Sequence, residues 1–202
     1  LLRGTGMIGL SQEDETETIL KGGTPVASKI IFHIDVNSAF LSWTAIDQLQ
    51  KAKETDTLDS YVDLRDIPSI IGGDSATRHG IVLAKSIPAK KYGISTAEPI
   101  ASALKKCPSL VIAPPDHHSY SAHSHALMEF LSGYCPVIEQ VSIDECYMDY
   151  TPICRDFESP QAAATIIKDS VRETFGFTVN VGISDRKVLA KMASDFKKPD
   201  LV

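Results

Sequence analysis

Apolar and polar positions follow two different periods along this chain, and the switches between them lay out its elements. Lys29-Ile30-Ile31-Phe32-His33-Ile34-Asp35-Val36 is short, β-branched and too continuous for a half-exposed strand, so it predicts a central buried one. In Asn37 to Leu49, Phe40, Trp43, Ile46 and Leu49 recur every third position, which predicts a helix with one apolar stripe, capped by Asn37 or Ser38. From Thr55 to Ala84 the pattern breaks into pieces around Pro68, Gly72-Gly73 and Gly80, and a strand is expected from His79 to Ser86. A helix from about Thr96 to Lys106 should stop at Pro108, and a short strand Leu110 to Ala113 at Pro114-Pro115.

Asp116 is placed to cap a helix running to about Tyr134. Val137 to Ile143 then reads as a strand and Cys146 to Tyr150 as its hairpin partner, with Asp144 and Glu145 at the bend. Ser159-Pro160 opens an alanine-rich helix to about Phe175, and Phe177 to Ile183 is a further buried strand. Ser184 or Asp185 caps a last helix in which Val188, Leu189, Met192 and Phe196 keep helical spacing until Pro199. Strand, helix, hairpin, helix, strand is the order of an α+β protein with an antiparallel sheet. Residues 1 to 28 combine five glycines with an acidic run and read as a leader segment.

Composition narrows the class. An apolar share of 43% supports one or two cores, and no apolar run reaches the length needed to cross a bilayer, so no membrane partner is expected. Cys107, Cys135, Cys146 and Cys154 fall at no metal-ligand spacing and no signal peptide opens the chain, which predicts a reducing, cytoplasmic setting. The net charge of -6 counts mildly against nucleic-acid binding, but Lys85, Lys90, Lys91, Lys105 and Lys106 have only Glu98 nearby in sequence.

Three acids carry the candidate chemistry. Asp35 sits in an otherwise apolar strand, where an unpaired carboxylate would lose hydration at a cost of several kcal/mol. Asp144 and Glu145 mark the hairpin bend. Taken singly, each reads as a strand end or a turn former. Converging on one sheet edge, the three would form a hard-oxygen site suited to Mg²⁺ and substrate phosphates, and so to phosphoryl transfer.

Phe32-His33-Ile34-Asp35-Val36-Asn37-Ser38-Ala39-Phe40 and Ser142-Ile143-Asp144-Glu145-Cys146-Tyr147-Met148-Asp149 resemble the two catalytic motifs of Y-family, lesion-bypass DNA polymerases. Val181 to Asp195, followed by Lys197-Lys198-Pro199, resembles the stretch that closes the family's palm. The resemblance runs from residue 29 to 202. It implies a palm with a ferredoxin-like antiparallel sheet over 29–38 and 105–202, and a small α/β fingers subdomain over 39–104. A thumb and a C-terminal DNA-gripping domain would lie beyond Val202, so this chain alone should bind and extend primer-template weakly.

The resemblance further implies that Asp35, Asp144 and Glu145 bind two Mg²⁺ ions, for which Mn²⁺ can substitute, with the Val36 carbonyl assisting. Phe40 stands at the family's aromatic steric gate, although spacing alone makes it a core residue. Ser86 to Ile94 is similar to the fingers segment that meets the triphosphate, where the family commonly has tyrosine and arginine. Here Ile87 offers no hydroxyl, and Lys90 is a point charge without arginine's bidentate fork. Lys198 matches a second triphosphate-binding lysine. The implied partners are primer-template DNA, deoxynucleoside triphosphates and, through the C-terminal region, a sliding clamp.

Other features point less far. His117, His118, His123 and His125 lack the i, i+4 pairing of helical metal sites and are expected to be exposed. Gly72-Gly73-Asp74 resembles a nucleotide-cyclase signature but is followed by Ser75-Ala76 where that family has Glu-Phe. The reading from a different class is a non-catalytic palm-type module that binds a nucleotide or a partner.

Overall fold

The computed structural model describes residues 29–73 and 80–202. The leader over 1–28, Asp74 and the start of the strand expected from His79 lie outside the described residues. A four-stranded sheet is built from β1 (Ile31–Val36), β5 (Ile138–Gln140), β6 (Glu145–Asp149) and β7 (Val179–Ser184), in the order β5-β6-β1-β7 with every pair antiparallel. That order, with helices between the first and second and the third and fourth of these strands, is the ferredoxin-like arrangement expected from the sequence.

A smaller sheet has the order β3-β2-β4, from β2 (Ser69–Gly72), β3 (Val82–Lys85) and β4 (Val111–Ala113), with β2 and β4 parallel. Pattern reading had left β2 among the broken pieces between Thr55 and Ala84. Its four residues are all buried and so carry no alternation to betray a strand. The short helix α2 (Ile87–Lys91), capped by Ser86, and α3 (Ile100–Lys106) flank this sheet. The turn over Thr96–Pro99 delays α3 by four residues relative to the expected start.

Helix α1 (Ala39–Glu54) does not have the single stripe expected of it. Trp43 enters the core of the larger sheet, while Leu41 and Ala45 pack against Ile71 and Ala84 of the smaller one, so α1 is buried on two sides. Its cap also differs: Ser38 adopts a left-handed conformation (φ 47°) and its hydroxyl donates to the Lys85 carbonyl instead of capping. Asp116 caps α4 (His117–Ser132) and Ser159 caps α5 (Pro160–Phe175), both as expected.

The period of two in the strands divides the larger sheet into unlike faces. Phe32, Ile34, Val36, Cys146, Met148, Val179 and Val181 join Leu127 and Leu131 of α4 and Ile167 and Val171 of α5 in one core. The opposite face carries His33, Asp35, Glu145, Tyr147, Asn180 and Gly182, and α6 (Lys187–Phe196) lies across it.

Helix α6 runs where the spacing of Val188, Leu189, Met192 and Phe196 predicts it, and those four residues are exposed, Phe196 by 83%, while Ala190 and Ser194 are buried. The reason lies on β7. A Cβ built on Gly182 would fall 1.9 Å from the Ala190 carbonyl oxygen, so helix and strand meet backbone to backbone, a distance only small residues allow.

Candidate active site

Asp35 and Glu145 are direct cross-strand partners on β1 and β6, and the Val36 N–H donates to the Asp144 carbonyl at 3.0 Å. The sheet therefore brings the three acids of the two motifs to one end of adjacent central strands. Each carboxylate has one oxygen held by a donor. Lys198 bonds Asp35 Oδ1 (2.5 Å), the Ser142 hydroxyl bonds Asp144 Oδ1 (2.7 Å), and Glu145 Oε2 accepts from both Lys191 (2.5 Å) and His33 Nε2 (3.1 Å). The second oxygen of each acid has no hydrogen-bond partner among the described residues.

Burial pushes the Asp35 carboxyl above its ordinary value, Lys198 opposes this only in part, and the negative charge of Asp144 adds to the rise. Burial acts upward on Glu145 too, but there Lys191 and His33 win and leave it below the ordinary value. Desolvation lowers the pKa of His33 against the pull of Glu145 and Asp35. For Lys198, burial works against the charge, but Asp35 and Asp195 outweigh it and raise the pKa. Asp35 is thus an anion that a further cation would stabilise.

The chemistry of this donor set fits a hard divalent cation: three carboxylates, each with an untied oxygen, and one of them disfavoured as a lone anion. Convergence is incomplete as the side chains stand. Among the described residues no three His, Cys, Asp or Glu groups lie close enough together to hold an ion, since Asp35 and Glu145 each turn one oxygen to a lysine.

Beside the acids opens a cleft of about 370 Å³ lined by Asn37, Lys85, Ile87, Lys90, Thr178 and Lys198 among others. It brings together Lys90 and Lys198, the two lysines the resemblance assigns to the nucleotide, and adds Lys85 from the same run of sparsely paired lysines. Lys85 and Lys90 have no carboxylate within ion-pair distance among the described residues; Lys85 reaches only the Thr96 hydroxyl at 3.3 Å. Arg65 also lines the cleft, but its guanidinium is committed to Asp63 and to the Gly176 carbonyl. Asn37 donates to Thr178 Oγ1 while its own buried Oδ1 is left without a partner.

Phe40 is not itself among the cleft-lining residues, although its chain neighbours Ser38 and Leu41 are. It is half-buried and stacked on Tyr120, with centroids 4.5 Å apart and planes 9° apart, and it meets His117 edge-on. His117, His118 and His125 are exposed, but His123 is not: it lies parallel to the Trp43 ring and bonds Asp47 at 2.8 Å.

Residues that sequence reasoning missed include His33, Asn180 and Lys191. His33 and Asn180 gave the same signal as Asp35, a polar residue inside an apolar strand. Asn180, opposite Asp35 on β7, donates to the carbonyls of Ser194 and Lys197 at 2.8 Å each, which anchors the turn that carries Lys198 to Asp35.

The larger sheet thus carries its paired acids at one end, beside a lysine-lined cleft. The chain belongs to the impB/mucB/samB family, whose model matches residues 34–195. It is 51% identical over 175 residues to DNA polymerase IV of Clostridium acetobutylicum, covering 87% of this chain and 42% of that protein. It is 39% identical over 170 residues to DNA polymerase IV of Alkaliphilus oremlandii, covering 84% and 39%. Among solved structures, a post-insertion binary complex of Dbh DNA polymerase matches with a TM-score of 0.72 at 28% identity, over 85% of this chain and 47% of that one. DinB from Sulfolobus solfataricus matches at 0.70 and 27%, over 86% and 48%. The chain spans about two-fifths of the length of these curated relatives. The Y-family resemblance read from the motifs is therefore upheld.

Proposed function

We propose that the whole protein is a translesion DNA polymerase that adds deoxynucleotides to a primer 3′-hydroxyl opposite a template, and that this chain supplies its palm (29–38 and 105–202) and fingers (39–104). The observation that carries the reading is the junction of three half-tied carboxylates with a cleft whose Lys85 and Lys90 have no carboxylate partner among the described residues. Asp35, Asp144 and Glu145, with the Val36 carbonyl, would hold two Mg²⁺ ions, or Mn²⁺ in their place. Such ions, when bound, ease deprotonation of the attacking hydroxyl and offset the charge of the departing phosphates.

The chain's own groups do the positioning. Lys85, Lys90 and Lys198 line one cleft and supply positive charge to a triphosphate without needing a bidentate fork. Asn37 Oδ1, buried and without a partner among the described residues, lines the same cleft and would be available to a bound nucleotide. Duplex DNA and a sliding clamp are partners of the whole protein in this reading.

Calorimetric titration of this chain with a deoxynucleoside triphosphate, with and without Mg²⁺ or Mn²⁺, tests the site directly. Binding should require the metal and should weaken sharply for the monophosphate. Equal affinity with and without metal would sink the assignment.

Phe40 is proposed as the gate that excludes a ribose 2′-hydroxyl. Phe40→Ala should narrow the preference for deoxy- over ribonucleoside triphosphate by roughly 10-fold or more, since a steric contact of one or two heavy atoms is worth that much discrimination. Unchanged preference in the folded variant would return Phe40 to the role of a core residue stacked on Tyr120.

A further inference from the structure

His33 is completely buried on the polar face of the larger sheet, between Asp35 and Ile31 in sequence and opposite Tyr147 on β6. Both ring nitrogens are engaged. Nε2 lies 3.1 Å from Glu145 Oε2 and Nδ1 2.7 Å from the Ser194 hydroxyl, itself 1% exposed. A carboxylate only accepts, so Nε2 carries the proton and donates to Glu145, while Nδ1 bonds the Ser194 hydroxyl, which also reaches the Lys191 carbonyl at 2.8 Å. The approach of α6 permitted by Gly182 brings Ser194 within reach, and the result is a rigid line from the helix through the imidazole to one oxygen of Glu145.

Stability alone does not call for this arrangement, because a buried polar pair can often be exchanged for apolar groups of similar shape at little cost. What an apolar side chain cannot do is fix the direction of a carboxylate. Lys191 bonds the same oxygen, but from a flexible stem that is 44% exposed, so it can swing away. His33 cannot. With Oε2 fixed, Oε1 is the oxygen of Glu145 without a hydrogen-bond partner among the described residues. We propose that His33, braced by Ser194, is a positioning residue that orients Glu145 for a divalent cation, with Lys191 as the movable partner that yields when the cation arrives. This rests on the polymerase reading above, which makes Glu145 a metal ligand.

Two near-isosteric variants separate the halves of the line. In His33→Gln the amide nitrogen falls near the place of Nε2 and can still reach Glu145; in His33→Asn the amide sits near Nδ1 and keeps only Ser194. Titration of the chain with Mn²⁺ in the presence of a deoxynucleoside triphosphate, followed by the electron paramagnetic resonance signal of free Mn²⁺, reads the affinity without any turnover. Hydrogen-bond partners of metal ligands typically contribute 10–100-fold to metal affinity, so His33→Asn should weaken Mn²⁺ binding by about 10-fold or more while His33→Gln keeps most of it.

Ser194→Ala, which leaves the imidazole in place but unbraced, should fall between the two. Thermal unfolding of each variant, measured in parallel, identifies a merely structural role: stability would drop while Mn²⁺ affinity of the folded protein stayed level. Equal Mn²⁺ affinity for the Asn and Gln variants overturns the proposal. Loss of binding in Asp144→Ala/Glu145→Ala beside unchanged binding in His33→Asn would overturn the positioning role alone. Unchanged binding in the double variant would overturn the polymerase reading and the positioning role with it.

Discussion

Gly182→Ala should be the most damaging glycine-to-alanine change among the described residues. The new Cβ would meet the Ala190 carbonyl oxygen at 1.9 Å and the Ser194 amide nitrogen at 2.5 Å, both backbone atoms of α6 that no rotamer change can move. Relief requires the helix to lift by more than an ångström, which opens space under Ala190 and Ser194. Overpacking of this kind costs about 3 kcal/mol or more. For a domain of this size that corresponds to a fall in melting temperature of about 6–12 °C.

The same lift would draw Ser194 from His33 and disturb the turn that Asn180 anchors, so metal-dependent nucleotide binding should weaken along with stability. Denaturant unfolding and calorimetric binding of the variant test both effects. A variant within 1 kcal/mol of the parent would show that α6 is not seated as described.

Asp144→Ala/Glu145→Ala is expected to abolish Mn²⁺-dependent binding of a deoxynucleoside triphosphate, a loss of at least 100-fold, because two of three anionic ligands disappear from a site that depends on charge. Its effect on stability should be smaller and is the net of two opposed changes. Removing the Asp144 charge relieves Asp35, whose carboxyl that charge helps to push upward. Removing Glu145 leaves the buried His33 Nε2–H without an acceptor, at a cost of about 1–3 kcal/mol. The second term is the larger, so a modest drop in melting temperature should accompany the loss of binding. A folded double variant that still binds nucleotide with metal would remove these acids from the site.

The departures at Ile87 and Lys90 look different once Lys85 is on the same cleft wall. Lys85 and Lys90 deliver charge through flexible stems, so on the proposed reading the grip on a triphosphate is electrostatic more than geometric. Exposed charge of this kind is screened by salt, so nucleotide affinity, measured by titration at rising ionic strength, should fall.

The order of elements was legible in the sequence because each signal is local. The continuous apolar run before Val36, the caps at Asp116 and Ser159-Pro160 and the strand-turn-strand around Asp144 all lie within a few residues of one another. Asp35 stood out for a similarly local reason, a charge among β-branched neighbours. Other features needed the tertiary structure. His33 and Glu145 are 112 positions apart, and only the sheet register makes them partners. The apolar spacing on α6 marked the helix but not its buried face, because periodicity shows that a helix has two faces, not which one a neighbour can approach; Gly182, on another element, decided for the small residues. Helix α1 was misread as one-sided because its second buried face packs on a sheet whose strands β2 and β4 lie far along the chain. The sequence alone marked most of the strands and helices, though not β2 or α2, and which residues carry charge. Which of those charges meet was decided by the packing of distant segments, since hydrogen bonds and ion pairs act through space and no local pattern encodes a distance across the fold.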